Sequence, residues 1–182
     1  GQPLPYVDKV IVTSGWDDAA RLAALIGGEA DLLTPGEGIL PVFEKYPDRI
    51  DIRTYHTGWI TPIVMRTDMP PFDDVRVRTA LKLVADREKI RNLVMPLGPV
   101  AYDHMVSSGD VAHCPDTDVG REQDIEKARS LLAEAGFADG MELELAVPNG
   151  DFRTNLAQVY VEMAAAAGIT IKINLLPSSA FW

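Results

Sequence analysis

The chain has 182 residues, 47% hydrophobic and 24% charged, which is the composition of a globular protein. Asp and Glu number 27 against 17 Lys and Arg, and the net charge of -10 argues against non-specific nucleic-acid binding, since a polyphosphate would be repelled. No apolar run approaches the roughly 20 residues that span a bilayer, and Cys114, the single cysteine, can form no internal disulfide.

In chain order, residues 6–13 (YVDKVIVT) are rich enough in β-branched side chains for a strand. Asp17 or Asp18 then caps a helix bearing Ala20, Ala23, Ala24 and Ile26, and Gly27-Gly28 stops it. Residues 29–33 enter a second short strand. Together these predict a β-α-β unit, hence a parallel pair with a right-handed crossover. Pro35-Gly36 turns the chain. Ile39, Leu40, Val42 and Phe43 predict a short helix ending near Tyr46-Pro47. Residues 49–55 read as a strand, and residues 59–67 as an extended run broken by Pro62.

Residues 70–95 change the pattern. Pro70-Pro71-Phe72 ends one segment, and Asp73-Asp74 opens a helix whose Val77, Ala80, Leu81 and Val84 share a face. Ahead of such a run the two aspartates serve as caps complementing the helix dipole, not as a catalytic carboxylate pair. Asp86 caps a second helix with Ile90, Leu93 and Val94 as its apolar face. Arg76, Arg78 and Arg87 form a basic cluster set against those carboxylates. We read the stretch as a hinge, with residues 1–66 in a first lobe and residues 67–182 in a second.

Residues 96–120 have no periodicity and are rich in Pro, Gly, Ser, Asp and His; a loop this long in a compact domain is functional or disordered. Asp124 caps the next helix, with Ile125, Ala128, Leu131, Leu132 and Ala135 on one face and Gly136 closing it. Met141, Leu143, Leu145 and Val147 alternate as in a strand, and Pro148-Asn149-Gly150 turns. Leu156, Val159, Tyr160, Met163 and Ala167 form a helical stripe closed by Gly168, and Ile169, Ile171, Ile173 and Leu175 alternate again. This second β-α-β unit is expected to have a further neighbouring strand outside these residues.

Three of these stretches resemble a known family. ARLAALIGGEADLL (20–33), PPFDDVRVRTALKLVADREKI (70–90) and DIEKARSLLAEAGFADGMELELAVPN (124–149) are similar, in this order, to signatures of the family 5 extracellular solute-binding proteins. These are the dipeptide, oligopeptide and nickel-binding subunits of ABC importers. The resemblance implies an α/β fold of periplasmic-binding-protein-like type II lobes built from β-α-β units. It also implies that this chain is an incomplete fragment of a two-lobed protein, since the family is more than twice as long. Secretion is implied as well, to a periplasmic or extracellular location with or without a lipid anchor, the leader lying outside these residues. Where the family places an aromatic-Asn pair, this chain has Met65-Arg66.

Candidate site residues concentrate in residues 101–118, AYDHMVSSGDVAHCPDTD, with His104, His113, Cys114 and four aspartates. By the resemblance this loop faces the space between lobes, so Tyr102, Asp103, His104 and Ser107 are expected to offer hydrogen-bond groups to a polar solute. A carboxylate there would also meet a ligand amine. Trp182 lies where family members carry aromatics near the cleft. Two other readings of the loop stay open. One is a transition-metal site, although His104 and His113 lie nine apart and the adjacent His113-Cys114 match no standard frame. The other is a solvated loop whose polar residues serve turns. Trp16 and Trp59 read as packing residues.

No dinucleotide, P-loop, HExxH or GxSxG motif occurs, so no cofactor is implied. The expected function is the substrate-binding component of an ABC-type importer, with a peptide or other small solute and a membrane permease as partners and no catalytic residue. The alternative is a metal-dependent hydrolase using the 101–118 loop.

Overall fold

A computed structural model describes residues 4, 6–14, 17–34, 45–53, 60–96, 98, 100, 102–103, 106, 110–114 and 122–181. The chain forms two compact units, Gly1–Ile52 and Arg53–Trp182.

In the first unit, α1 spans Asp18–Gly27. The Asp17 carboxylate accepts the Ala20 N–H at 2.8 Å, as the cap reading expects. Gly28 takes the left-handed conformation at φ 80°, and the Glu29 N–H returns to the Ala24 carbonyl at 2.9 Å. Arg49 donates to the Ile26 carbonyl at 2.7 Å and so satisfies another of the helix's last acceptors.

The strands expected at residues 6–13 and 29–33 are not formed: these residues are irregular, and no β-α-β unit exists among the described residues of this unit. Val7, Val10, Ile11 and Val12 are exposed. β-Branched side chains favour a strand only through packing and a paired neighbour, and here neither is present among the described residues. Residues 49–53 form a turn and coil rather than a strand, for the same reason. The helix expected over residues 39–43, and Trp16 and Trp59, lie outside the described residues.

In the second unit, residues 60–66 are irregular and lead to α2 (Val75–Leu83) and α3 (Arg87–Val94). Asp74 caps α2 by accepting the Arg76 N–H at 2.8 Å, and Asp86 caps α3 by accepting the Lys89 N–H at 2.9 Å. The expected α2 face is buried in full, with Val77, Ala80, Leu81 and Val84 in the core. On α3, Ile90 packs against that core, but Leu93 is 62% exposed. Ile90 and Val94 sit four apart on one face, and Leu93 lies to its side.

The basic cluster divides as well. Arg76 pairs with Asp74, and Arg78 donates to the Phe72 and Asp73 carbonyls at 2.7 and 3.0 Å. Arg87 turns away to Asp103 instead of countering Asp73 and Asp74.

The hydrogen bond from Arg76 holds the Asp74 carboxyl below its usual value of 3.8. A depressed folded-state pKa adds stability above the unfolded pKa, and this is lost as pH falls through the folded value. In urea unfolding at pH 7 and pH 2.5, Asp74→Asn should therefore shrink the stability difference seen for the unsubstituted chain. An unchanged difference would refute the linkage.

Gln123 donates to the Val84 carbonyl and the Asp124 N–H to the Leu83 carbonyl, both at 2.9 Å, so α4 (Ile125–Glu134) starts where α2 ends. Ala128 and Leu132 of α4 enter the core beside α2. The chain then runs through β1 (Met141–Pro148), α5 (Asp151–Ala165), β2 (Ile169–Leu176) and a short α6 (Ser178–Phe181). β1 and β2 pair in parallel from Met141↔Ile169 to Pro148↔Leu176, as the second β-α-β unit predicts. Met141, Ile169 and Ile171 are buried in the core with Tyr160 and Ala164 of α5. On the opposite sheet face, Lys172 meets Glu142 and Asn174 meets Glu144, all in solvent. Such pairs on an exposed face contribute little.

Candidate functional site

The second unit carries a cleft of about 350 Å³. Its walls come from five pieces of chain. Residues 60–65 supply Ile60 and Ile63; α2 and the turn after it supply Leu81, Lys82 and Ala85; α3 supplies Ile90, Arg91 and Val94; and the start of α5 supplies Phe152, Leu156 and Tyr160. Tyr102 and Asp103 complete the lining from the loop. Apolar walls with a few polar groups are the common form of a small-molecule site.

Local sequence places each wall. The caps at Asp74 and Asp86 set where α2 and α3 begin, and core packing of Leu81 and Ile90 turns them so that one helix contributes Leu81 and Lys82 and the other Ile90 and Val94 to the same space. Tyr160 anchors α5 to α2: its buried hydroxyl donates to the Leu81 carbonyl at 2.8 Å. Burial raises that phenol far above its ordinary range, so it stays neutral and a donor at any working pH.

Charge at the cleft is unlike that of the chain. Among the described residues, three cations, Lys82, Arg87 and Arg91, line it with one carboxylate, Asp103. Arg87 holds Asp103 at 2.7 Å with side chains 14% and 10% exposed, and Lys82 approaches the other oxygen at 3.4 Å. Arg91 meets the outward Glu88 at 3.1 Å.

The sequence-predicted site residues separate into two groups. Tyr102 and Asp103 line the cleft, with Tyr102 partly exposed and Asp103 engaged by two cations. His104, Ser107 and Trp182 lie outside the described residues. Farther along the loop, His113 Nδ1 donates to the Val106 carbonyl at 3.1 Å, and Asp110 accepts from the Ala112 N–H at 2.8 Å. Those two side chains serve local turns. Among the described residues, no three His, Cys, Asp or Glu side chains converge to hold a metal ion.

Lys82, Arg91, Phe152 and Ile60 were absent from the sequence expectations. The basic residues at 82, 87 and 91 recur on two capped helices just before the polar loop, in an otherwise acidic chain. That recurrence was the available signal. For Phe152 and Leu156 the helical stripe was visible, but nothing local says which part of it stays uncovered.

Comparison with known proteins gives a family. The family of bacterial extracellular solute-binding proteins, family 5, middle region, matches residues 1–182. The chain is 31% identical over 155 residues to the periplasmic oligopeptide-binding protein OppA of Escherichia coli, covering 81% of this chain and 27% of that protein. It is 28% identical over 148 residues to heme-binding protein A of Haemophilus influenzae, covering 76% and 25%. The chain thus spans about a quarter of the length of these curated relatives. A solved structure of the periplasmic binding protein DppA of Helicobacter pylori superposes with a TM-score of 0.77 at 20% identity, covering 99% of this chain and 35% of that one. At that identity it shows the fold: an α/β type II periplasmic-binding-protein architecture, of which this chain is a fragment.

Proposed function

Because this chain belongs to the family 5 bacterial extracellular solute-binding proteins, we propose that the whole protein is the solute-binding component of an ABC-type importer. It captures a peptide or other small polar solute between two lobes, closes by hinge motion, and delivers it to a membrane permease without chemistry on the solute. The family match across residues 1–182 carries this reading. The oligopeptide in the name of the Escherichia coli relative supports a peptide, and the heme in that of the Haemophilus relative widens the range of solutes. A periplasmic location follows from the same relatives, with lipid anchoring as one form of it. Nothing in these comparisons favours the hydrolase.

In this reading residues 1–66 belong to the first lobe and residues 67–182 begin the second, with residues 53–66, which cluster with the second compact unit, as the connection between them. Tyr102, Asp103, His104, Ser107 and Trp182 face the solute. The cleft beside Tyr102 supports that placement for the first two.

The test is thermal unfolding of the full-length protein with a panel of di- to pentapeptides. A cognate peptide at 100 times its Kd should add about 2.7 kcal/mol, a rise of several degrees that grows with concentration, and the peptide should be recovered intact. Cleavage of the peptide, or no shift with any member of the panel, would reject the proposal.

A further inference from the structure

We propose that Asp103 serves the cleft as a positioning residue: it pins the start of the loop to α2 and α3, so that its neighbour Tyr102 is held ready for the solute. This rests on the solute-binding reading above and changes the part Asp103 plays in it, from contact to support.

The two neighbours differ in exposure. The Asp103 side chain is 10% exposed, whereas Tyr102 is 40% exposed and lines the cleft. Neither residue lies in a helix or a strand, so no ladder of backbone bonds fixes this part of the chain. The Asp103 carboxylate supplies a fixed point. One oxygen accepts from Arg87 of α3 at 2.7 Å, and the other faces Lys82 of α2 at 3.4 Å. A guanidinium bond to a carboxylate is strong and directional, so it orients the residue that accepts it. Tyr102 is one peptide unit away, about 3.8 Å from Cα to Cα, too short a tether for it to drift while Asp103 is held.

The base to which the loop is tied is itself fixed. The Leu81 carbonyl accepts the Tyr160 hydroxyl of α5 at 2.8 Å. The Leu83 carbonyl accepts the Asp124 N–H, and the Val84 carbonyl the Gln123 amide, both at 2.9 Å. Arg87 adds a longer bond of 3.4 Å to the Lys82 carbonyl, so the side chain that holds Asp103 is also seated on the end of α2. These carbonyls would otherwise lack helical partners. The end of α2 is thus bonded to α5, to α3 and to the start of α4, and Leu81 and Val84 are buried there. Support of this kind lowers the ordering that a solute must impose on Tyr102 when it binds.

Calorimetry on the intact protein tests this with a double-mutant cycle of Asp103→Asn and Tyr102→Ala. The probes are Ala-Leu-Ala and the tightest binder of the thermal panel. Asp103→Asn alone should weaken binding about tenfold, and Tyr102→Ala at least as much. In the Tyr102→Ala background, Asp103→Asn should change affinity by less than about twofold. Asp103→Glu keeps the carboxylate and should recover most of the affinity, and Lys172→Met, on the exposed sheet face, should change nothing. Should Asp103→Asn fail to fold, Arg87→Lys, which keeps the charge but not the fork, takes its place in the cycle with the same expectation. Losses that add overturn the proposal, because a direct solute contact or a general loosening would act without Tyr102. Unaltered binding by Asp103→Asn overturns it too. A protein that binds peptides with additive losses keeps the importer reading and loses this one, whereas a protein that binds no member of the panel loses both.

Discussion

Gly140→Ala is expected to lower the stability of the second unit by about 3 kcal/mol, one of the larger effects a single methyl can have. Gly140 has φ 97°, where an L side chain is strained. A Cβ there would also meet the Gly168 carbonyl oxygen at 2.8 Å, too close for any real contact. That oxygen belongs to the backbone, so no rotamer change relieves the clash. It cannot withdraw freely either, because it accepts the Met141 N–H at 3.2 Å, at the point where β1 joins β2. Moving Gly168 would disturb that bond and the Met141↔Ile169 register beside it. Chemical denaturation should show a lower midpoint at unchanged m-value. Gly27→Ala is the control. It lies inside α1 with nothing within 4 Å of the added methyl, so it should be neutral or slightly stabilising. A loss below about 1 kcal/mol for Gly140→Ala would mean that the two strand entries relax independently.

The contrast between the two units shows what the sequence could and could not carry. In the second unit, local signals and tertiary packing agree. Asp74, Asp86 and Asp124 cap where caps were expected, and Met141 to Val147 and Ile169 to Ile173 alternate because one sheet face meets α5, while Leu175 near the strand's end is exposed. Residues 6–13 carry an equally clear β-branched signal, yet among the described residues they find no partner. A strand is half of an interaction, and its other half is never local. The cleft shows the same limit. Tyr102 and Asp103 were legible as polar groups on a long loop. The opposing wall at Ile60, Ile63 and Phe152 depends on which apolar faces the fold leaves uncovered, a property of the assembly and not of any one segment. The pairing of Arg87 with Asp103 across 16 positions was likewise hidden, and residues adjacent in sequence suggested Asp73 and Asp74 instead.

That pairing sets the last prediction. Arg87→Met should cost about 2 kcal/mol of stability in the second unit, below the 3–5 typical of a broken buried pair because Lys82 still faces Asp103. Adding Asp103→Asn to it should return about half of that loss, since the amide no longer needs a cation, and the double-mutant cycle then measures the coupling directly. Additive losses would show that the pair contributes nothing. Binding gives a sharper division. If Asp103 meets a ligand amine, as a carboxylate on a cleft loop first suggests, Asp103→Asn weakens binding of peptides with a free amine. If Asp103 instead clamps the loop to α2 and α3, Asp103→Asn weakens binding of the free and the N-acetylated peptide alike while stability falls. The geometry favours the clamp: both carboxylate oxygens are engaged by cations of the same unit, and the side chain is 10% exposed. An equal loss for both peptide forms is an outcome that a lost amine contact would not produce.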